Sequence, residues 1–186
     1  MERKSGHDKA MVGYRRNFVR GGTYFFTVVL QDRTSSYLID YNDQLLQSIQ
    51  TVKNKTHFSE IAFVIMPDHL HTIWKLPEND HDFPGRWRAI KSLFTRTLVK
   101  SGVPLVKNSR GEYLLWQKRY WEHTLSNSED LQSHIDYIHY NPVKHGYVND
   151  VSDWAHSSFH RYVDKGLLPE NWGSGVNIKQ SVDYGE

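Results

Sequence analysis

The chain of 186 residues contains no cysteine, and this absence excludes several kinds of site. A disulfide framework, a thiol nucleophile and a thiolate metal site are all impossible. A bound metal would have to be held by histidine, carboxylate, amide or water ligands. The length fits one domain, because domains usually contain about 100–200 residues.

Long hydrophobic runs and a large excess of one charge are also missing. No apolar run approaches the roughly 18 residues of a membrane span, and residues 1–16 contain no apolar stretch typical of a signal peptide. The formal net charge of +2 excludes both a polybasic tail protein and an acidic disordered chain. We therefore expect a cytoplasmic protein with no membrane partner, for which a nucleic-acid partner is permitted but not required.

Hydrophobic patterning predicts the order β-α-β-β-α-β-α-α. Pro67-Asp68 is expected to form the turn between the second and third strands, and Pro142 is expected to end the last long helix. The strands are predicted over Thr23–Leu30, Phe58–Met66, His69–Leu76 and near Tyr120–Thr124, and the helices over Gln44–Val52, Pro84–Val99, from a cap at 126–128 to Asn141, and over Ser157–Val163.

This order predicts an α+β fold: a ferredoxin-like four-stranded antiparallel sheet with helices on one face, plus a C-terminal helical extension and tail. The other face of such a sheet is open to a ligand or to further helices. We divide the chain into a flexible N-terminal extension over 1–12, a single domain over 13–166 and a C-terminal tail over 167–186.

His69 and His71 form the first candidate site. One residue separates them on a predicted strand, so their side chains point to the same face. Two imidazoles placed in this way can hold one divalent metal. Because the chain has 11 histidines, a pair with this spacing is also expected by chance, and the pair alone does not establish a metal site.

A polar stripe on the last long helix forms the second candidate site. Tyr137 and Asn141 are four residues apart and share a helix face, with His134 one turn before them. Ile135 and Ile138 lie toward the other side, where a core contact is expected. Taken alone, this stripe is equally typical of an ordinary amphipathic helix.

The two features together suggest a specific chemistry. A metal needs more than two ligands, and the carboxamide oxygen of Asn141 would suit Mg²⁺ or Mn²⁺. Tyr137 would then lie beside the metal. A phenol, with a pKa of about 10, is a poor nucleophile at neutral pH, but a metal on the scissile phosphate makes the phosphorus more electrophilic. The phosphotyrosine product would keep the phosphodiester energy for a later joining step that needs no nucleotide cofactor.

Several segments closely resemble the REP-associated tyrosine transposases, which are single-tyrosine members of the HUH (His-hydrophobic-His) nuclease superfamily. The likeness runs from about Tyr14 to Trp172, and its most specific part is the YIHYNPVKHG segment after an upstream HLH. The other matching segments are RRNFVRGGTYFFTV, MPDHLHTIWKLP, RWRAIKSLF, YWEHTL and SDWAHSSFHRYV.

The resemblance implies a role for each candidate residue. His69 and His71 match the metal ligands, Tyr137 matches the catalytic nucleophile, and Asn141 matches the polar residue that completes the metal site. It further implies cleavage of single-stranded DNA near palindromes that fold as hairpins, with Mg²⁺ or Mn²⁺ as cofactor. The enzyme would stay on the 5′ phosphate and release a 3′-OH. Relatives of the insertion-sequence type dimerise and use the tyrosine in trans, whereas palindrome-associated members act as monomers, so both states remain open.

Basic and aromatic residues suggest where DNA would bind, although each can equally be solvated surface or core. Phosphate contacts are predicted from basic residues near the first strand, on the second long helix, before the last strand and after the tyrosine helix: Arg15, Arg16, Arg20, Arg88, Lys91, Lys118, Arg119 and Lys144. Lys144 is preferred to His145 because it is charged without a pKa shift. Trp116, Tyr120 and Trp121 are suited to stacking on bases.

Asp68 and Glu122 are predicted near the histidine pair, either as hydrogen-bond partners of the imidazoles or as turn and surface residues. Three alternatives to a transposase stay open at this point. The chain can be a non-catalytic module that binds DNA hairpins, an HUH nuclease of the replication or conjugation type, or a histidine-metal hydrolase unrelated to DNA.

Overall fold

The structure is a computed structural model that describes residues 16–174. Four strands form one antiparallel sheet in the order β2-β3-β1-β4, which confirms the predicted α+β, ferredoxin-like sheet. The elements are β1 (Thr23–Val29), α1 (Tyr37–Asp40), α2 (Asn42–Lys55), β2 (Ser59–Ile65), β3 (His69–Lys75), α3 (Phe83–Lys100), β4 (Trp121–Thr124), α4 (Ser128–Lys144), a 3-10 turn (Val151–Asp153) and α5 (Phe159–Asp164).

The central strand β1 is buried on both faces, so it contributes to two separate hydrophobic cores. Tyr24, Phe26 and Val28 pack into the core that α2 and α3 cover. Phe25 lies on the opposite face and packs with Ile138 of α4. Because successive strand residues point to opposite faces, this alternation divides the aromatic run of β1 between the two cores.

The second sheet face, which we expected to be open to a ligand or to further helices, is covered by α4. The polar stripe of this helix is buried against the sheet, with Tyr137 and Asn141 almost fully covered. Ile135 and Ile138 are buried as well, because the helix contacts its surroundings over a wide arc rather than along one narrow stripe. The catalytic candidates of α4 therefore face the strand that carries the histidine pair.

The prediction that Pro142 ends the tyrosine helix is wrong, since α4 continues to Lys144. Pro142 lies in the last turn, where the missing N–H removes only one helical hydrogen bond. The next turn is closed in the usual way, because the His145 N–H donates to the Asn141 carbonyl at 3.0 Å. Lys144 is therefore held on the same helix as Tyr137, two turns further along.

The β2–β3 hairpin places the histidine pair directly after a tight turn. The Met66 N–H donates to the His69 carbonyl at 2.8 Å across Pro67 and Asp68. His69 is consequently the first residue of β3, and the Asp68 side chain lies next to it. The predicted hairpin turn is thus present and brings a carboxylate to the edge of the site.

The first residues of the predicted tail pack against the back of α4. The ring centroid of Trp172 lies 6.2 Å from that of His139 and 6.2 Å from that of Phe159. The Ser174 hydroxyl donates to the Asp150 carboxylate at 2.7 Å. The predicted extension over 1–12 and the end of the tail lie outside the described residues, and the domain limits stay predictions. Among residues 16–174, none of the helices has the length and apolar character needed to cross a membrane.

His139 joins α4 to the α5 region through a fully buried contact. Its Nε2 lies 2.9 Å from the Ser158 hydroxyl, and its ring meets that of Tyr162 edge-on at 4.7 Å. Burial, assisted by the positive charge of Arg161, lowers the pKa of His139 to about 3. The imidazole is therefore neutral in the folded protein throughout the physiological range.

Acidification should destabilise the fold through His139. In the unfolded chain this histidine takes up a proton near its ordinary pKa of 6.5, whereas the folded state resists protonation down to about 3. The free energy of unfolding should therefore fall by about 1.4 kcal/mol from this residue for each pH unit below 6.5. Urea unfolding at pH 7.5 and 5.5 measures this loss. In a His139→Gln variant the loss should be smaller by that amount; an equal pH dependence in both proteins would contradict the assignment.

Candidate functional site

His69 and His71 lie side by side on the sheet face that α4 covers. Both are buried, with exposed fractions of 2% and 0%, and their ring centroids are 5.0 Å apart at an interplanar angle of 76°. This arrangement follows from the two-residue repeat of the strand. The spacing seen in the sequence thus corresponds to two neighbouring imidazoles in one site.

An acid–base chain holds the His69 ring. The Asp68 carboxylate lies 2.8 Å from His69 Nδ1, and its other oxygen is paired with the Arg33 guanidinium. Burial alone would raise the pKa of Asp68, but the hydrogen bond to His69 and the charges around it lower that pKa. A carboxylate on Nδ1 selects the imidazole tautomer whose lone pair is on Nε2, as is common for metal-binding histidines.

Strand β1 holds the His71 ring. His71 is paired directly with Thr27 in the sheet, and its Nδ1 lies 2.9 Å from the Thr27 hydroxyl. The Phe25 ring stacks beside it, with centroids 5.4 Å apart. Both imidazoles are therefore oriented through Nδ1, His69 by a residue of the β2–β3 turn and His71 by a residue of β1.

Tyr137 meets the histidine pair from α4. Its ring lies edge-on to that of His71, with centroids 5.1 Å apart, and only 1% of the residue is exposed. Lys144 Nζ donates to the Tyr137 hydroxyl at 3.4 Å and lies 4.9 Å from the ring centroid. A cation at this position would stabilise negative charge on the phenolic oxygen.

The end of α4 completes the cluster. Asn141 is fully buried one turn after Tyr137, and the His145 ring centroid lies 5.5 Å from that of His69. The structure thus brings Tyr137 to the two histidines, buries Asn141 one turn further along the same helix, and adds His145 beside His69. The sequence contains one signal for a role of His145, which is that this residue directly follows the helix that carries Tyr137 and Lys144.

Sequence reasoning identified Asp68 as a partner of the imidazoles but missed the other residues that orient the site. Arg33 follows β1 and reaches Asp68 across a distance of 35 positions in the chain. Thr27 and Phe25 were recognised only as strand residues. Their roles depend on the pairing of Thr27 with His71 between two strands, and the sequence of a single strand does not reveal that pairing.

Glu122 does not lie at the histidine pair, and the prediction that placed it there is wrong. It is paired across the sheet with Phe26, and so faces the core under α3 rather than α4. Its carboxylate lies 3.5 Å from the Arg16 guanidinium. The next residue, His123, faces α4 instead.

A second cluster of possible metal ligands lies beside this site. Within residues 16–174, donor atoms of His123, Asp130 and His134 all lie within 4.8 Å of one another. The Asp130 carboxylate lies 3.1 Å from a ring nitrogen of each histidine, and His134 Nδ1 also lies 2.8 Å from the Asp130 carbonyl. Burial would raise the pKa of Asp130, but the Ser126 N–H and the two histidines lower it. Burial also lowers the pKa of His134.

Four of the eight predicted DNA-contacting residues line one cavity of about 350 Å³. This cavity contains the aromatic rings of Trp87 and Tyr120 and the basic side chains of Arg16, Arg88, Lys91 and Lys118. Burial and the nearby charge of Arg16 lower the pKa of Lys91 to about 8. Lys144 lies apart from this cavity, at Tyr137. Arg20 and Arg119 are exposed, and Arg15 lies outside the described residues.

Comparison with known proteins agrees with this architecture. The family model described as "Transposase IS200 like" matches residues 19–141. A Haemophilus influenzae protein assigned to the REP-associated tyrosine transposases is 46% identical over 175 residues, which cover 93% of this chain and 99% of that protein. The REP-associated tyrosine transposase of Escherichia coli strain K12 is 45% identical over 166 residues, which cover 89% of this chain and 93% of that protein.

A solved structure of a REP-associated tyrosine transposase bound to a REP hairpin is also similar. It superposes with a TM-score of 0.83 at 43% sequence identity, and the match covers 95% of this chain and 98% of that one. The buried histidine pair, the tyrosine beside it and these matches lead to one assignment: the chain is a transposase that belongs to the IS200-like family and is similar along most of its length to the REP-associated tyrosine transposases.

Proposed function

We propose that this transposase cleaves and rejoins single-stranded DNA at hairpins of repetitive extragenic palindromes, with Tyr137 as the nucleophile. The observation that carries the proposal is the position of Tyr137, whose ring touches His71 and whose hydroxyl touches Lys144. The similar structure holds a REP hairpin, which supports the same class of DNA for this chain.

The residues of the site fit a divalent metal. Asp68 and Thr27 occupy Nδ1 of the two imidazoles, so Nε2 of each is the nitrogen suited to a metal. The buried carboxamide of Asn141 would supply an oxygen. We assign His69, His71 and Asn141 to Mg²⁺ or Mn²⁺. A metal bound there would polarise the scissile phosphate and stabilise charge that develops on its oxygens.

Tyr137 would attack the phosphorus in a balanced exchange of two ester bonds. A bond forms between the phenolic oxygen and phosphorus, and the bond from phosphorus to the 3′ oxygen breaks. The phenol loses its proton, and the leaving 3′ oxygen takes one up to become a 3′-OH. Lys144 would stabilise the phenolic oxygen while it carries negative charge. Because the phosphotyrosine bond is a phosphodiester, the reverse reaction joins DNA without a nucleotide cofactor.

We infer that a single chain supplies both halves of the site. The Tyr137 ring lies 5.1 Å from the ring of His71 in this one chain, which supports a tyrosine that acts in cis in a monomer. Tyr137 is almost fully covered, whereas Lys144 is exposed. We therefore propose that the scissile phosphate enters from the exposed side of the site, where Lys144 lies within reach of both the phenolic oxygen and the phosphate.

Replacing the nucleophile should separate chemistry from binding. Tyr137→Phe removes only the hydroxyl, so it should abolish the covalent protein–DNA adduct and leave hairpin affinity within about twofold of wild type. A denaturing gel with labelled hairpin DNA and Mn²⁺ measures the adduct, and a gel shift measures affinity. Tyr140→Phe, on the same helix, is the matched control and should form the adduct normally. An adduct that persists in Tyr137→Phe would refute the assignment, and binding without cleavage by the wild type would favour a hairpin-binding module.

A second prediction locates the metal. Asp68→Asn removes the carboxylate that orients His69, so the affinity for Mn²⁺ should fall by about 10- to 100-fold. Asp130→Asn, at the other histidine cluster, should leave this affinity unchanged. Calorimetric titration of each folded variant with Mn²⁺ tests both statements. Normal Mn²⁺ affinity in Asp68→Asn together with lost Mn²⁺ binding in Asp130→Asn would mean that His123, Asp130 and His134 hold the metal instead.

A further inference from the structure

The cavity under Arg16 and Lys118 is one half of a longer groove. A second cavity of about 340 Å³ adjoins it and contains Arg96, Tyr113 and Trp116. Lys91 and Lys118 line both cavities, so the two are continuous. We call this surface the α3 groove, because Arg88, Lys91 and Arg96 all lie on α3.

The lining of the α3 groove is basic and aromatic. Neither cavity is lined by a carboxylate among the described residues. Glu122, which pairs with Arg16, is only 3% exposed, and the Arg16 guanidinium also lies 4.7 Å from the Tyr120 ring centroid. An anion that entered the groove would therefore meet cations and no facing negative charge.

Lys91 is fixed at the junction of the two cavities. Its Nζ donates to the Gln117 carbonyl at 3.0 Å and lies 5.6 Å from the Trp116 ring centroid and 5.3 Å from that of Tyr120. A lysine held in this way loses less side-chain entropy when it meets an anion than a free surface lysine does. Each cavity thus offers a partly exposed aromatic ring, Tyr120 in the first and Tyr113 and Trp116 in the second, together with access to one preoriented cation.

The groove is separate from the proposed cleavage site. Trp87, Trp116 and Tyr120 belong to or pack on the core that α3 covers. Tyr137 belongs to the core on the opposite face, so the sheet lies between the groove and the tyrosine. A residue change in the groove can therefore be made without touching the site of the chemistry.

We propose that the α3 groove binds unpaired DNA, with about one nucleotide in each of its two cavities. The groove places aromatic rings beside cations, in one partly enclosed cavity and one shallow, open cavity. This combination fits splayed bases, which stack on aromatic rings while cations hold the backbone. The proposal rests on the proposed function only in that it takes DNA as the substrate.

Equilibrium binding tests the groove independently of cleavage. Fluorescence anisotropy would be measured in Tyr137→Phe protein with two probes: a short oligothymidine and a blunt hairpin that has no unpaired flank. The groove variant is Arg88→Glu/Lys118→Glu. The matched control is Lys55→Glu/Lys75→Glu, which makes the same change in net charge at exposed positions outside the groove. Circular dichroism confirms that each variant is folded.

The groove variant should bind oligothymidine at least tenfold more weakly than the control variant, with a shallower dependence on salt. Affinity for the blunt hairpin should be the same in both variants. Tyr113→Ala, which changes no charge, should weaken oligothymidine binding by about fivefold or more if a base stacks there.

Three results would overturn the proposal. Equal oligothymidine affinity in the groove and control variants would mean that the groove binds no single strand. A selective loss of hairpin affinity would mean that it contacts duplex. Normal oligothymidine affinity in Tyr113→Ala would exclude the predicted stacking on Tyr113 in the second cavity. None of these results depends on Tyr137 chemistry, so a failed adduct assay and a failed groove assay can be told apart.

Discussion

The packing of α4 across the face of β1 and β3 is the constraint on which the site depends. Along β3 the two-residue repeat puts His69 and His71 on this face, and α4 buries Tyr137 and Asn141 against them. Phe25 stands between the two elements, since its ring contacts those of His71, His134 and Tyr137. If α4 were rotated by one residue, about 100°, Tyr137 would leave the histidine pair.

Burying this many polar groups is tolerable only because the sheet and the turns supply hydrogen-bond partners for them. Asp68 and Thr27 hold the two imidazoles of β3, Asp130 near the start of α4 holds His123 of β4 and His134 of α4, and Ser158 meets His139 on the far side of the helix. The contacts of Asp130 and His139 attach α4 near its beginning and in its second half. The same interactions that stabilise the helix therefore also set the position of the tyrosine.

Local pattern was sufficient to predict the strands and the long helices but not the short α1, and the four catalytic candidates received their roles only from the family resemblance. The alternation in β3 placed His69 and His71 on one face, and helical spacing placed Tyr137 and Asn141 on one stripe. Local pattern could not show which face of the sheet α4 covers, because both faces of β1 carry large aromatic side chains. Local pattern also failed where strand pairing decides which core a residue faces. Glu122 and His123 are neighbours in the chain, yet Glu122 pairs with Phe26 and His123 pairs with Phe25, so the two residues face different cores. The prediction that Pro142 ends the helix failed because a proline in the last turn removes only one helical hydrogen bond and does not end the helix.

We propose that one chain carries a complete site, in which Tyr137 acts with the histidine pair of its own chain. Mixing two inactive variants tests this claim most directly. Tyr137→Phe and His71→Ala proteins, each folded, would be combined and assayed for the covalent adduct with hairpin DNA. A site formed in cis predicts that the mixture stays inactive, because neither chain holds both the tyrosine and the histidine pair. Adduct formation in the mixture would contradict the account, since it would show that the tyrosine of one chain serves the histidines of another.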